Sequence, residues 1–166
     1  IYLVQFEAEA PWGPVIAVSR PVDRGRLHIS AICTAAAARL IRGSLAYAMD
    51  RQLFGEPIVE KQLIQAMLAD SRTEAFAALC MIEESARRKD AGKNVSIGAT
   101  SCEMSASEMV GRVADPRCVF HGGAGYIADY GIERCYRDVR LLRIYEGTTQ
   151  IQQIVIAQGM SKEAGQ

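Results

Sequence analysis

The stretch Arg137-Asp138-Val139-Arg140-Leu141-Leu142-Arg143-Ile144-Tyr145-Glu146-Gly147-Thr148-Thr149-Gln150-Ile151 sets one carboxylate, Glu146, between an apolar Ile-Tyr pair and a Gly-Thr-Thr step. Gly147 lets the chain turn or approach a ligand closely, and Thr148 is suited to cap a helix that follows. Glu146 is therefore expected on a backbone turn rather than on a solvated helix face. Desolvation beside an aromatic ring raises a carboxylate's pKa, which suits a general base working near neutral pH. The plainer reading is an exposed loop residue before a capped helix. The run alone leaves both open.

On either side of this turn the pattern is helical. A last helix is predicted from Thr148 to about Met160, and a short one near Gly131–Arg140. Before the glycine turn at 122–125, a helix covers roughly Val95 to Phe120 despite Gly98, Gly111 and Pro116. Another runs from about Ile58 to Lys89, with Ile64, Leu68, Ala75, Leu79 and Ile82 on one stripe, and Asp90–Asn94 turns the chain after it. The first starts at Asp23 as N-cap, carries Ile29, Cys33, Ala36, Leu40 and Met49, and is broken by Gly55 and Pro57. Long helices with short connections imply an antiparallel bundle, an all-α domain over residues 23–166. Residues 1–22 differ. Ile1–Phe6 reads as a strand, and Pro11, Gly13, Pro14 and Pro21 argue against helix before Asp23. They are expected to form an irregular or β lead-in, the end of another domain.

At 166 residues the chain is long enough for one domain with a sizeable core. Its 19 Lys and Arg balance 19 Asp and Glu, so no net charge steers it toward nucleic acid or an anionic membrane. Cys33, Cys80, Cys102, Cys118 and Cys135 are odd in number and scattered, without a Cys-x-x-Cys pair. They read as small apolar residues in a reducing compartment, not as disulfides or metal ligands. No apolar run approaches the ~20 residues that span a bilayer. Glu7 and Glu9 interrupt the first apolar stretch, against a signal peptide. A soluble, intracellular protein is expected.

Four segments carry a more specific signal. Asp23-Arg24-Gly25-Arg26 opens an Ala-rich helix through Ala35-Ala36-Ala37-Ala38-Arg39. Arg51-Gln52-Leu53-Phe54-Gly55-Glu56-Pro57-Ile58 with Gln62 fits R-x-x-F-G-x-x-I…Q, and His121-Gly122-Gly123-Ala124-Gly125-Tyr126 fits G-G-x-G-Y. Glu133-Arg134-Cys135-Tyr136-Arg137-Asp138 then leads into Tyr145-Glu146-Gly147-Thr148. A lone Gly-Gly-x-Gly is weak evidence. Four segments in this order and spacing resemble the C-terminal part of the acyl-CoA dehydrogenase family, from about Asp23 to Met160.

The resemblance implies FAD-dependent α,β-dehydrogenation of an acyl-CoA thioester. Glu146 is implied as the base that takes the α-proton, with its own backbone N–H donating to the thioester carbonyl. Some branches of the family carry the base at the position matching Gly25, where glycine cannot serve. Arg51, Phe54, Gln62 and Gly123 are implied to hold FAD across a subunit interface, with Thr148 and Gln150 touching it from the other side. Asp23, Arg26, Tyr145 and Gly147 are implied at the acyl-CoA site. A homo-oligomer follows, dimer or tetramer, with electron-transfer flavoprotein or a similar acceptor as partner. The location implied is cytoplasmic in a bacterium or the mitochondrial matrix in a eukaryote.

Each residue also has a plainer reading. Arg26 pairs with Asp23 or lies on the surface; Arg51 ends a helix favourably; Phe54 is core. His121 is a helix-end residue without metal-ligand spacing, and Arg134, Arg137 and Asp138 form structural ion pairs. Trp12 lies outside the matched region. Val119 departs from the family pattern, which often has glutamine there to bond the adenine end of FAD. That contact is worth roughly 0.5–1.5 kcal/mol. The family's N-terminal helical and middle β-domains do not fit into residues 1–22, so a fragment or a partner chain supplying them is expected. The alternatives are a non-catalytic helical scaffold of dehydrogenase ancestry, or a flavin enzyme acting on a nitroalkane. The latter is associated with Asp, not Glu, at the base position.

Overall fold

Among the described residues, apolar and small residues at helical spacing give a bundle of three long α-helices with three shorter ones. The computed structural model describes residues 15–165, with side chains from residue 22. Its helices are α1 (Val15–Asp50), α2 (Gln62–Asp90), α3 (Ser96–His121), α4 (Gly123–Tyr126), α5 (Ile132–Leu141) and α6 (Thr149–Ala164). A small antiparallel hairpin, β1 (Gln52–Leu53) and β2 (Glu56–Pro57), joins α1 to α2, with Gln52 opposite Pro57 and Leu53 opposite Glu56. Phe54 and Gly55 turn it, both with positive φ.

α3 is the central element and touches α1, α2, α5 and α6. Its buried residues Ala106, Met109, Val110, Val113 and Ala114 meet Ile29, Cys33, Ala37 and Leu40 of α1. Ala75 and Ala78 come from α2, and Val139 and Leu142 close the same core. Many of these side chains are small, which lets the helix axes approach closely; the larger Met109 fills what remains. The α2–α3 connection is stopped by Gly92 in the left-handed region, after Arg87, Arg88 and Lys89 in the last turn of α2. Cations there complement the helix dipole.

Two features differ from the sequence expectation. α1 begins at Val15 and runs through Pro21, so Asp23 is not an N-cap. Asp23 is buried, where it accepts a hydrogen bond from Ser96 Oγ at 3.1 Å. The strand expected at Ile1–Phe6, and Trp12, lie outside the described residues. Second, α1 is long and apolar enough over Val22–Asp50 to cross a bilayer by length and composition alone. Leu27, Cys33, Ala37, Leu40 and Ala48 on it are buried in the bundle, while Ile32, Leu45 and Met49 are exposed on its other side.

Candidate active site

The turn between α5 and α6 forms because α5 unwinds rather than stopping on a cap. Leu142 N–H bonds to Val139 O, Arg143 N–H to Arg140 O and Ile144 N–H to Leu141 O, each a tightened three-residue step. Glu146 follows with φ 61° and Gly147 with φ 113°. A non-glycine residue in this region stores about 1–3 kcal/mol and persists only when its surroundings fix it. Leu142 is buried, and Tyr145 packs against the main core cluster. Thr148 makes no capping bond with its side chain, contrary to expectation; the Thr149 hydroxyl instead donates to Glu108.

The turn lays the Glu146 side chain across α1 at Gly25. A Cβ built at Gly25 would stand 3.3 Å from Glu146 Oε2 and 3.5 Å from its Cδ. Glycine there makes room for the carboxylate. The two positions that the family resemblance offers for a base thus converge on one place, and only Glu146 supplies a carboxyl.

Beneath this turn lies a buried polar cluster. Arg26 Nη1 donates to Thr100 Oγ1 at 2.9 Å and lies 3.9 Å from Asp23 Oδ1. Arg26 Nε is 3.5 Å from Glu103 Oε2, and Glu103 is wholly buried. Burial pushes the Glu103 carboxyl up to about 8, and the Glu146 charge adds to this, while Arg26 and Gln152 oppose it. Gln152 approaches the carboxyl, but not in hydrogen-bonding geometry. Both Glu103 oxygens, Arg26 Nε and Gln152 Oε1 lack a hydrogen-bond partner. Burial also raises the Tyr145 phenol, with Cys33, Glu103 and Glu146 adding to the rise.

The sequence reading left open a desolvated Glu146 beside Tyr145 and an exposed turn residue, and the structure shows the exposed one. Glu146 is exposed, because Tyr145 turns toward the core; the desolvated carboxyl is Glu103. Arg26, expected in a first helical turn, lies well inside α1 and is buried. Glu103, Gln152, Thr100 and Ser96 were not anticipated. Glu103 had a signal: it lies four residues after Ala99 and three before Ala106, on the buried stripe of α3.

Arg51 and Gly123 lie together at the far end of α1. Arg51, Gly123, Tyr47, Asp50, His121, Ala124 and Tyr130 line a cleft of about 430 Å³. Tyr47 and His121 stack with ring centroids 3.8 Å apart, and His121 Nδ1 is 2.7 Å from Arg117 O. Among the described residues no group of His, Cys, Asp and Glu has the arrangement of a metal site. Phe54 is exposed at the hairpin tip, with Lys61 Nζ 5.7 Å from its ring centroid, rather than core. Gln62, first in α2, and Gln150 on α6 are exposed. Arg134 and Asp138 form a loose exposed pair at 3.7 Å. Val119 is exposed near the end of α3.

Comparison with known proteins gives the family and the fold. The family model described as acyl-CoA dehydrogenase, C-terminal domain, matches residues 13–161. The chain is 40% identical over 141 residues to the probable acyl-CoA dehydrogenase YngJ of Bacillus subtilis, covering 85% of this chain and 37% of that protein. It is 36% identical over 138 residues to the caffeyl-CoA reductase-Etf complex subunit CarC of Acetobacterium woodii, covering 83% and 36%. The structure of butyryl-CoA dehydrogenase from Megasphaera elsdenii superposes with a TM-score of 0.85 at 28% identity, over 89% of this chain and 39% of that one. The chain thus spans less than two fifths of the length of the curated relatives it matches. It belongs to the acyl-CoA dehydrogenase family, of which it carries the C-terminal domain.

Proposed function

We propose that this chain is the base-bearing domain of a larger FAD-dependent acyl-CoA dehydrogenase, in which Glu146 removes the α-proton of an acyl-CoA thioester. The observation that carries this reading is the Glu146 turn: a carboxylate held in a left-handed backbone conformation and laid across a helix where glycine makes room for it. An α C–H is a weak acid, so the base works only if charge developing on the thioester carbonyl is stabilised. The Glu146 N–H makes no backbone hydrogen bond among the described residues, which leaves it free to donate to that carbonyl. Tyr145 and Gly147 flank the carboxylate and shape the acyl site. Asp23 and Arg26 act from beneath, tying α1 to α3 through Ser96 and Thr100.

The residues at the far cleft fit a dinucleotide. Arg51 presents a guanidinium suited to pyrophosphate, and Gly123 has no atom within 4 Å of where a Cβ would stand, so backbone is open to close approach. When bound, FAD supplies the acceptor that takes the β-hydrogen as hydride. Arg26 lies on α1 and Arg51 directly follows its last residue, about 38 Å further along the axis at 1.5 Å per residue. That separation exceeds the reach of one dinucleotide, so Arg51, Phe54, Gln62 and Gly123 of one protomer meet a cofactor that Thr148 and Gln150 of another contact. The assembly is a dimer or tetramer. The reductase–Etf relative supports an electron-transferring flavoprotein as acceptor, and proton transfer by Glu146 serves either direction of the reaction.

The test is anaerobic mixing of the full-length, flavin-loaded protein with a series of acyl-CoA thioesters, following the flavin band. Bleaching by at least one thioester is expected. No bleaching by any of them favours the scaffold reading, and bleaching by nitroalkanes alone favours the nitroalkane reading.

A further inference from the structure

Arg143 stands three residues before Glu146 and Thr149 three after it, and both end on one carboxylate of α3. Arg143 Nε donates to Glu108 Oε1 at 2.9 Å, and Arg143 Nη2 lies 2.6 Å from Glu108 Oε2. Thr149 Oγ1 donates to the same Oε1 at 2.6 Å. A bidentate arginine–carboxylate pair fixes orientation as well as distance. Burial raises the Glu108 pKa, but Thr149, Arg143 and the nearby Arg112 charge outweigh it and hold the carboxyl below its ordinary value. Glu108 therefore stays ionised at neutral pH, in the form that accepts all three contacts.

Between the two anchors the chain passes through consecutive positive-φ residues, Glu146 and Gly147. Leu142 and Tyr145 hold the α5 side through the core. On the α6 side Thr148 gives no side-chain cap, so the Thr149 hydroxyl is the side-chain tie at the start of that helix. One carboxylate thus joins the two ends of the turn to the central helix of the bundle.

We propose that Glu108 is a positioning residue for Glu146: by holding Arg143 and Thr149 together it fixes the left-handed turn, and with it the carboxylate, against α3. The proposal rests on the reading of Glu146 as base. A small misplacement of a reacting group lowers a rate steeply without changing what binds. Loss of Glu108 therefore acts on the reduction step rather than on thioester affinity. Glu74 provides a control, since it pairs with Arg112 of α3 at 2.8 Å and does not touch the turn.

The experiment compares wild type, Glu108→Gln, Glu108→Asp and Glu74→Gln in the full-length, flavin-loaded protein. It reads stopped-flow flavin reduction by an acyl-CoA that bleaches wild type, together with amide hydrogen exchange over residues 143–149. Glu108→Gln should slow reduction at least ~10-fold and speed exchange in the turn. Its half-saturating thioester concentration should stay within ~2-fold of wild type. Glu108→Asp should recover part of the rate, and Glu74→Gln should behave as wild type. Unchanged exchange in Glu108→Gln overturns the proposal whatever the activity. So does faster exchange with a wild-type reduction rate. If wild type bleaches with no thioester, the functional reading fails separately, and the exchange result alone decides whether Glu108 holds the turn.

Discussion

Glu146 and Glu103 are neighbouring carboxyls with opposite surroundings, one exposed on a strained turn and one sealed among three helices. Glu103 keeps its proton to about pH 8 when folded, against an ordinary value of 4.5. A carboxyl with a raised folded-state pKa binds more protons folded than unfolded between these values, so stability falls as pH rises through that window. Glu103→Gln, which mimics the neutral form, should flatten this fall: thermal melts at pH 5 and pH 8 should converge in the mutant and diverge in wild type. Equal melting shifts in both would contradict the protonated assignment. Gly25→Ala makes a separate test, because helix propensity favours alanine by up to about 1 kcal/mol. The new Cβ would meet Glu146 Oε2 at 3.3 Å and displace it. Flavin reduction should drop ~10-fold while the melting point holds or rises, a combination that generic damage does not give. The sequence located Glu146 because its turn chemistry is local. It did not reveal Glu103, Gln152 and Thr100, whose roles come from distant helices meeting around Arg26.

At the scale of elements, the long helices were legible because apolar spacing persists over many turns, and α2, α3, α5 and α6 end within a few residues of expectation. The start of α1 was not, since the proline and glycine content before Asp23 argued against a helix that begins at Val15. The short hairpin Gln52–Pro57 was also missed: two-residue strands leave no alternation to read. The glycine turn after α3 was visible, and the structure gives its reason. A Cβ at Gly125 would overlap the Cys118 carbonyl, so α4 packs against α3 only with glycine there. Gly125→Ala should destabilise the protein by about 1–3 kcal/mol, the usual range for overpacking. It should also disturb the adjoining cleft at Gly123 and Ala124. Denaturant titration beside flavin content measures both, and a wild-type value for each would show that α4 has freedom to shift.

For the whole molecule, the proposed assembly makes each chain half of each cofactor site, because Arg51 just past the end of α1 is far from the Glu146 turn at Gly25. Arg51→Ala should therefore lower flavin occupancy of the assembled protein while circular dichroism shows unchanged helix content. Equal flavin in mutant and wild type would remove Arg51 from the cofactor. The exposed apolar side chains Ile32, Leu45, Met49 and Phe54 belong to the same picture, since a bundle that completes its site with other domains or copies leaves such surface uncovered when taken alone. The central claim remains that Glu146 is the base. Glu146→Gln keeps the size of the side chain and removes its basicity. In the full-length, flavin-loaded protein mixed anaerobically with acyl-CoA, the thioester should still perturb the flavin spectrum on binding. Bleaching should slow by at least ~10²-fold, the lower range for loss of a general base. Bleaching at the wild-type rate would place the base elsewhere.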